Sequence, residues 1–301
     1  DVKVCQARKV SAPVNPPDLS DQPYARIEQI EPGVARLLAH NPSAFTYTGT
    51  QSYLVGGTEV VVIDPGPDLP AHIDALVEAI GGRPVVAIAC THTHRDHSPA
   101  AAAMKAATGA PIIGCAALAL DTVGPRADAS FDFGYAPDRV LGDGEAIEVD
   151  GRRLVAVATP GHTSNHLCYE FGDALFTGDH VMGWSTTVVV PPDGDMAAYM
   201  ASLDKLRHRK DRVFYPAHGP AVTKPQQLVR GMIGHRMQRE KQILRLLGEG
   251  RDTIPDIVAG AYPGLDQRLV PAAGGSVLAH LVDLERRGIV QTNGETWTAA
   301  P

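Results

Sequence analysis

The chain has 301 residues, 44% hydrophobic and 20% charged, with a formal net charge of −7. These proportions are those of a globular protein and exclude a disordered, collagenous or coiled-coil chain. No apolar run reaches the roughly 18 residues of a membrane helix. The four cysteines, Cys5, Cys90, Cys115 and Cys168, have no CxxC spacing and are too sparse for a disulfide scaffold, so a reducing, cytoplasmic setting is expected.

Pro13, Pro16, Pro17 and Pro23 mark residues 1–23 as an extended arm. QSYLV and TEVVVID, joined at Gly56-Gly57, read as two strands between Gln51 and Asp64. PAHIDALVEAI has helical spacing over 70–80 and stops at Gly81-Gly82. VVAIAC (85–90) is a short buried strand, followed by the polar run THTHRDHSPA and an Ala-rich helix to Thr108. PIIGC is a further strand, and 116–138 reads mostly as loop. Four strand-like runs follow between Arg139 and Thr177, with turns at Gly142, Gly151, Gly161 and Gly172. Residues 195–207 form a helix, 212–217 a strand and 225–248 a long basic helix. The tail reads helix, helix, hairpin, with Asn293-Gly294 as the tight turn, the pattern of a winged helix.

Charge is unevenly placed. Residues 41–204 hold seven basic and twenty acidic side chains, whereas 205–251 hold twelve basic and three acidic. This basic stretch either attracts an anionic substrate, including RNA, by its local field, or is a solvated helix face.

The histidines carry the chemical signal. His92, His94, Asp96 and His97 form H-x-H-x-D-H directly after a buried strand. Three imidazoles and a carboxylate so close together are costly to desolvate unless a divalent metal binds them. His162 in TPGHTSNH, Asp179 in FTGDH and His218 in YPAHG each follow a strand, beside Gly or Pro that sharpens the turn.

The ordered set H-x-H-x-D-H, G-H-T, G-D and H-G resembles the metallo-β-lactamase fold superfamily over roughly residues 24–225. The resemblance implies an α+β chain: an αββα sandwich over 24–229, with metals at one edge, followed by a small winged-helix domain over 230–301. It implies two zinc ions per chain, with manganese or iron as alternatives. His92, His94 and His162 would hold one ion, Asp96, His97 and His218 the other, and Asp179 would bridge them. Asp96 and Asp179 would be catalytic, Asp96 orienting a metal-bridging hydroxide. An acid at the bridging position disfavours β-lactamase activity. The tail, HRMQREKQILRLLGEGRDTIPDIV and SVLAHLVDLERRGIV, resembles the winged-helix extension of the mitochondrial β-lactamase-like endoribonuclease and its bacterial relatives.

The expected function is therefore hydrolysis of an ester, thioester or lactone in a small, anionic substrate. The alternatives are a single-stranded RNA endonuclease using the 205–251 stretch, a β-lactamase side activity, and a non-catalytic nucleic-acid-binding protein. His180, after the bridging acid, is a candidate outer acid or substrate contact, and His166 supports its loop or meets substrate. Trp184, Ser185 and Thr186 are candidate lining residues. Asp64 is read as ordering a loop, Cys90 as packing, and His40, His72, His208, His235 and His280 as surface or packing residues.

Overall fold

The computed structural model describes residues 19–119 and 131–300. The expected arm lies outside the described residues up to position 18, and so does the middle of the 116–138 segment. Strands β1 (Glu28–Glu31), β2 (Val34–Leu38), β3 (Gln51–Val55) and β4 (Val60–Ile63) run antiparallel. Helix α1 (Pro70–Ile80) then returns the chain to β5 (Val85–Ala89), parallel to β4. After helix α2 (Ala100–Thr108) comes a short parallel pair, β6 (Ile113–Gly114) with β7 (Arg139–Val140). The second sheet repeats the plan. β8 (Ala146–Val149), β9 (Arg152–Ala158), β10 (Leu167–Phe171) and β11 (Ala174–Gly178) run antiparallel, and α3 (Met196–Arg207) leads to β12 (Val213–Pro216), parallel to β11. Each parallel pair needs such a crossover, since only antiparallel strands can be joined by a tight turn.

The two five-stranded sheets pack face to face, with Tyr53 of β3 and Phe176 of β11 edge-to-face at 4.9 Å. Helices cover the outer faces, which is why QSYLV and VVVI are buried at every position. Between Arg139 and Thr177 the structure has five strands, not four. Arg139–Val140 pairs with β6 and stays out of the second sheet, and the turn at Gly161 is a wider loop that presents His162.

Helix α4 (Pro225–Gly248) leaves this body and enters the tail, followed by α5 (Ile254–Ala261), α6 (Val270–Arg286) and the hairpin β13 (Val290–Thr292) and β14 (Trp297–Ala299). Val229 and Met232 of α4 pack with Tyr199, Leu203 and Phe214, whereas Ile243 and Leu246 pack with Ile257, Val277, Leu281 and Trp297. The expected boundary between residues 229 and 230 thus falls inside one continuous helix shared by two cores. Among the described residues no helix is long and apolar enough to cross a membrane.

Candidate metal centre

All seven expected ligands come to one edge of the sandwich. His92, His94, Asp96 and His97 follow β5, His162 sits in the β9–β10 loop, Asp179 follows β11 and His218 follows β12. Bonds between the sheets hold these strand ends together. Tyr53 Oη donates to Pro216 O (2.6 Å), Gln51 Nε2 to Gly219 O (2.7 Å) and Tyr169 Oη to Cys90 O (2.8 Å). Gly178, before Asp179, has φ 49°, and a Cβ there would lie 2.7 Å from both His166 Nε2 and Thr91 Oγ1. A side chain at that position would push the acid out of place.

The ligand atoms form two groups, His92, His94, His162 and Asp179 in one and Asp96, His97 and His218 in the other, each with its atoms within 4.8 Å of one another. His94 Nδ1 lies 3.0 Å from His92 Nε2 and 3.1 Å from His162 Nε2. His218 Nε2 lies 3.1 Å from Asp96 Oδ2 and 3.2 Å from Asp179 Oδ1, and His97 Nε2 lies 3.5 and 3.6 Å from the same two oxygens. Asp179 turns its other oxygen to His162 Nε2, 3.6 Å away, so its two oxygens face the two groups. Tetrahedral coordination at 2.0–2.1 Å separates neighbouring ligand atoms by roughly 3.3 Å, so these spacings fit a metal.

The tautomers fit as well. His162 Nδ1 lies 2.6 Å from Val188 O and His218 Nδ1 3.1 Å from Gly49 O. Carbonyls only accept, so both Nδ1 atoms carry a proton. His97 Nδ1 meets Asp64 Oδ2 at 3.0 Å. Thr91 gives its hydroxyl proton to Asp64 and therefore accepts from His92 Nδ1, 3.0 Å away. Four imidazoles thus turn Nε2 inward, the outer-shell arrangement that orients metal ligands.

Burial opposes ionisation of Asp179, and His218 and His97 overcome it, holding its carboxyl well below the usual carboxylate range. Burial likewise opposes charge on Asp96, and His97 and His218 pull it low. In return, burial disfavours the His218 cation but Asp179 and Asp96 raise its pKa to about 10. His97 Nε2, His218 Nε2 and Asp179 Oδ1 are nevertheless buried without an aligned hydrogen bond among the described residues, because they point at a common space and not at each other. A divalent cation displacing the Nε2 protons would satisfy all three. Burial, reinforced by His94, pushes His162 down to about 4, which keeps it neutral and ready to ligate.

The remaining candidates separate. His166 sits behind the ligands, Nδ1 2.9 Å from Thr159 Oγ1 and Nε2 accepting from Asp179 N (3.3 Å), so it supports the loop. His180 does not fit the expected acid or substrate contact. Its ring is fully buried against Tyr199 at 4.8 Å, and burial pushes its pKa down to about 3. Trp184 stacks on Tyr47 at 4.9 Å and packs over Gly219, beside His218, while Ser185 is exposed and Thr186 half-buried.

Sequence reasoning missed Tyr47, Arg95, Phe131 and Phe133. The His94 ring lies 5.0 Å from Phe131, and beyond it opens a cavity of about 420 Å³ lined by Arg95, Phe131 and the exposed Phe133, with Asp68 and Asp132. The F-D-F triplet in an otherwise featureless loop was the available signal.

Five of the twelve cations of the basic stretch are ion-paired. Lys205 pairs with Asp143, Arg207 with Asp204, Arg209 with Glu170 and Asp211, Arg212 with Glu31 and Asp173, and Arg245 with Glu249. Arg236 is buried, and Arg239 is half-buried with its guanidinium 3.9 Å from the Tyr262 ring.

Comparison with known proteins agrees with this geometry. Residues 46–218 match the metallo-beta-lactamase superfamily and residues 253–297 the beta-lactamase associated winged helix domain. A beta-lactamase-like protein 2 homolog of Caenorhabditis elegans is 33% identical over 279 residues, 88% of each chain. An atrochrysone carboxyl ACP thioesterase of Aspergillus novofumigatus is 31% identical over 255 residues, covering 78% of this chain and 73% of that protein. A beta-lactamase domain protein from Burkholderia ambifaria has the same fold, with a TM-score of 0.76 at 19% identity over 94% of this chain and 96% of that one. The chain belongs to the metallo-beta-lactamase superfamily of hydrolases and carries its associated winged helix domain.

Proposed function

We propose that the protein is a dinuclear metal-dependent thioesterase acting on a small acyl thioester. The observation that carries this reading is the setting of the ligand cluster between two aromatic walls, Tyr47–Trp184 beside His218 and Phe131–Phe133 beside His94. Flat apolar walls suit an acyl group. Tyr47 holds φ 57°, a strained value for a bulky residue, and such strain gathers at ligand-binding positions. The thioesterase named among the relatives supports the same class. RNA is the less favoured substrate, because the cations expected to recruit it are mostly paired or buried.

Divalent ions, zinc by the nature of the N and O donors, would supply an acidified water and an electrophile for the carbonyl oxygen. The chain does the rest. His162, His97 and His218 are held in one tautomer by Val188, Asp64 and Gly49, and the aromatic walls exclude bulk water from the acyl group. Asp96, whose side chain is 24% exposed against 12% for Asp179, is the more open of the two acids. It accepts the proton released as water attacks the acyl carbon and returns it to the departing sulfur. The C–S bond breaks, leaving an acid and a thiol. Arg95, whose Nε donates to Phe131 O (3.1 Å), presents an exposed guanidinium at the cavity mouth for an anionic portion of the substrate.

The test is zinc-reconstituted protein incubated separately with benzoyl and acetyl thioesters, a lactone, a cephalosporin and single-stranded RNA. Thiol release fastest with the benzoyl thioester is expected. RNA cleavage without thiol release would overturn the reading.

A further inference from the structure

Residues 187–190, between Asp179 and α3, hold two of the metal-site residues by their backbone surroundings. Val188 O accepts from His162 Nδ1. Thr187 Oγ1 lies 2.8 Å from Asp179 O and 3.0 Å from His180 O, either of which takes its proton. What holds this segment in turn comes from the tail. Arg236 of α4 donates Nη2 to Thr187 O and Nη1 to Ser276 Oγ of α6 (3.3 Å). Gly275, next to Ser276, lies so close to the segment that a Cβ there would sit 2.7 Å from Val190 Cγ2. Arg286, at the far end of α6, pairs with Asp195, the N-cap of α3.

Arg236 is an unusual residue to bury. It is 4% exposed, and among the described residues no carboxylate lies within ion-pair distance of it. Its donors go to a carbonyl and a hydroxyl, and its guanidinium lies 5.2 Å from the Tyr199 ring. A guanidinium taken from water without a counter-charge costs stability, so packing alone is a poor reason for it. The forked geometry explains it better, because one side chain joins two segments at fixed distance.

We propose that the winged-helix domain acts as a brace for the metal centre, with Arg236 as the positioning residue. Held by Ser276, Arg236 fixes segment 187–190, and through it the ring of His162 and the backbone of Asp179. The α6 face that does this is turned inward onto the hydrolase body. This role is independent of which substrate the site turns over.

Arg236→Met keeps the unbranched apolar stem of the side chain and removes both bonds. In the metal-free protein, amide exchange over 187–190 should accelerate at least tenfold. Zinc affinity, measured by competition with a chromophoric chelator, should fall about 10- to 100-fold, as for other residues that orient ligands. Arg236→Lys should recover part of both. Leu284→Ala, a cavity in the tail core about two turns along α6 from Ser276, is the control. It should lower the melting temperature while leaving zinc affinity within twofold. Arg236→Met that melts earlier but keeps its zinc affinity and its slow exchange overturns the brace. Should Arg236→Met not fold, Ser276→Ala decides, because it removes the hydroxyl that holds Arg236: a loss of zinc affinity with an unchanged metal-free melting temperature supports the brace, and unchanged affinity overturns it.

Discussion

Asp64 and His97 are locked together away from solvent, Oδ2 to Nδ1 at 3.0 Å, with Asp64 2% and His97 0% exposed. Asp64 also accepts from Thr91 N (2.7 Å) and Thr91 Oγ1 (2.8 Å), and its backbone sits at φ 47°. One carboxylate therefore sets the tautomer of His97 directly and that of His92 through Thr91.

Asp64→Asn tests this relationship. Asn tolerates positive φ and keeps an oxygen for Thr91 N. Its amide nitrogen would face His97 Nδ1, donor against donor. Zinc affinity should drop about 10- to 100-fold with little change in fold, as judged by chelator competition and near-UV circular dichroism. Unchanged affinity would show that His97 does not depend on Asp64.

Asp179→Ala should weaken both ions, because Asp179 is within 3.6 Å of His97, His218 and His162. Elemental analysis after zinc reconstitution should give about two ions per chain for the wild type, as in paired-metal hydrolases. The variant should hold less than one and lose turnover by at least 10³-fold, since about 4 kcal/mol of transition-state stabilisation corresponds to that factor. Full stoichiometry in the variant would show that Asp179 does not link the groups.

The candidate ligand set was legible in the sequence because its members lie just after strands, with a glycine beside His162, Asp179 and His218, so local chemistry and topology point the same way. His92, Asp179 and His218 follow strands that are parallel neighbours in the two sheets, and the sandwich brings those ends to one edge. What was not legible depends on pairings distant in sequence. Arg236 reads as one more cation on a basic helix, and only its meeting with Thr187 and Ser276, 49 and 40 residues away, shows it to be buried. His180 reads as functional because it adjoins Asp179, yet the fold buries its ring against Tyr199. Lys205 and Arg212 counted toward a positive field until the fold placed Asp143, Glu31 and Asp173 against them.

His280 gives a pH prediction. It is 2% exposed on α6, neither ring nitrogen has a hydrogen-bond partner among the described residues, and burial, with Arg236 and Arg239 nearby, pushes its pKa down to about 3. In the unfolded chain it titrates near 6.5. Below about 6.5 the unfolded state takes up a proton that the folded state refuses until about 3, so this residue removes stability progressively as pH falls through that window. His280→Leu also removes two unsatisfied polar atoms. In metal-free protein its melting temperature should exceed that of the wild type, and by more at pH 4.5 than at pH 7.5. An equal difference at both pH values would mean that His280 does not titrate as its burial requires.

The surface cations decide the substrate class from another direction. Of the basic residues between 205 and 251, only Lys210, Lys224, Arg230, Lys241 and Arg251 are exposed without an ion pair among the described residues. Even if all five met phosphates of a single strand at once, log K would fall with log salt at a slope of about −3.5, since each contact adds roughly −0.7. They are scattered along α4 and its flanks, so the expected slope is nearer the value for one or two contacts. Single-stranded RNA should then bind weakly at 50 mM salt and not measurably at 200 mM. Arg230→Ala with Lys241→Ala should leave thiol release from a benzoyl thioester unchanged, because neither residue touches the metal edge. Tight RNA binding at 200 mM salt with a slope of −3 or steeper, abolished in that double variant, would show that the long helix recruits RNA after all.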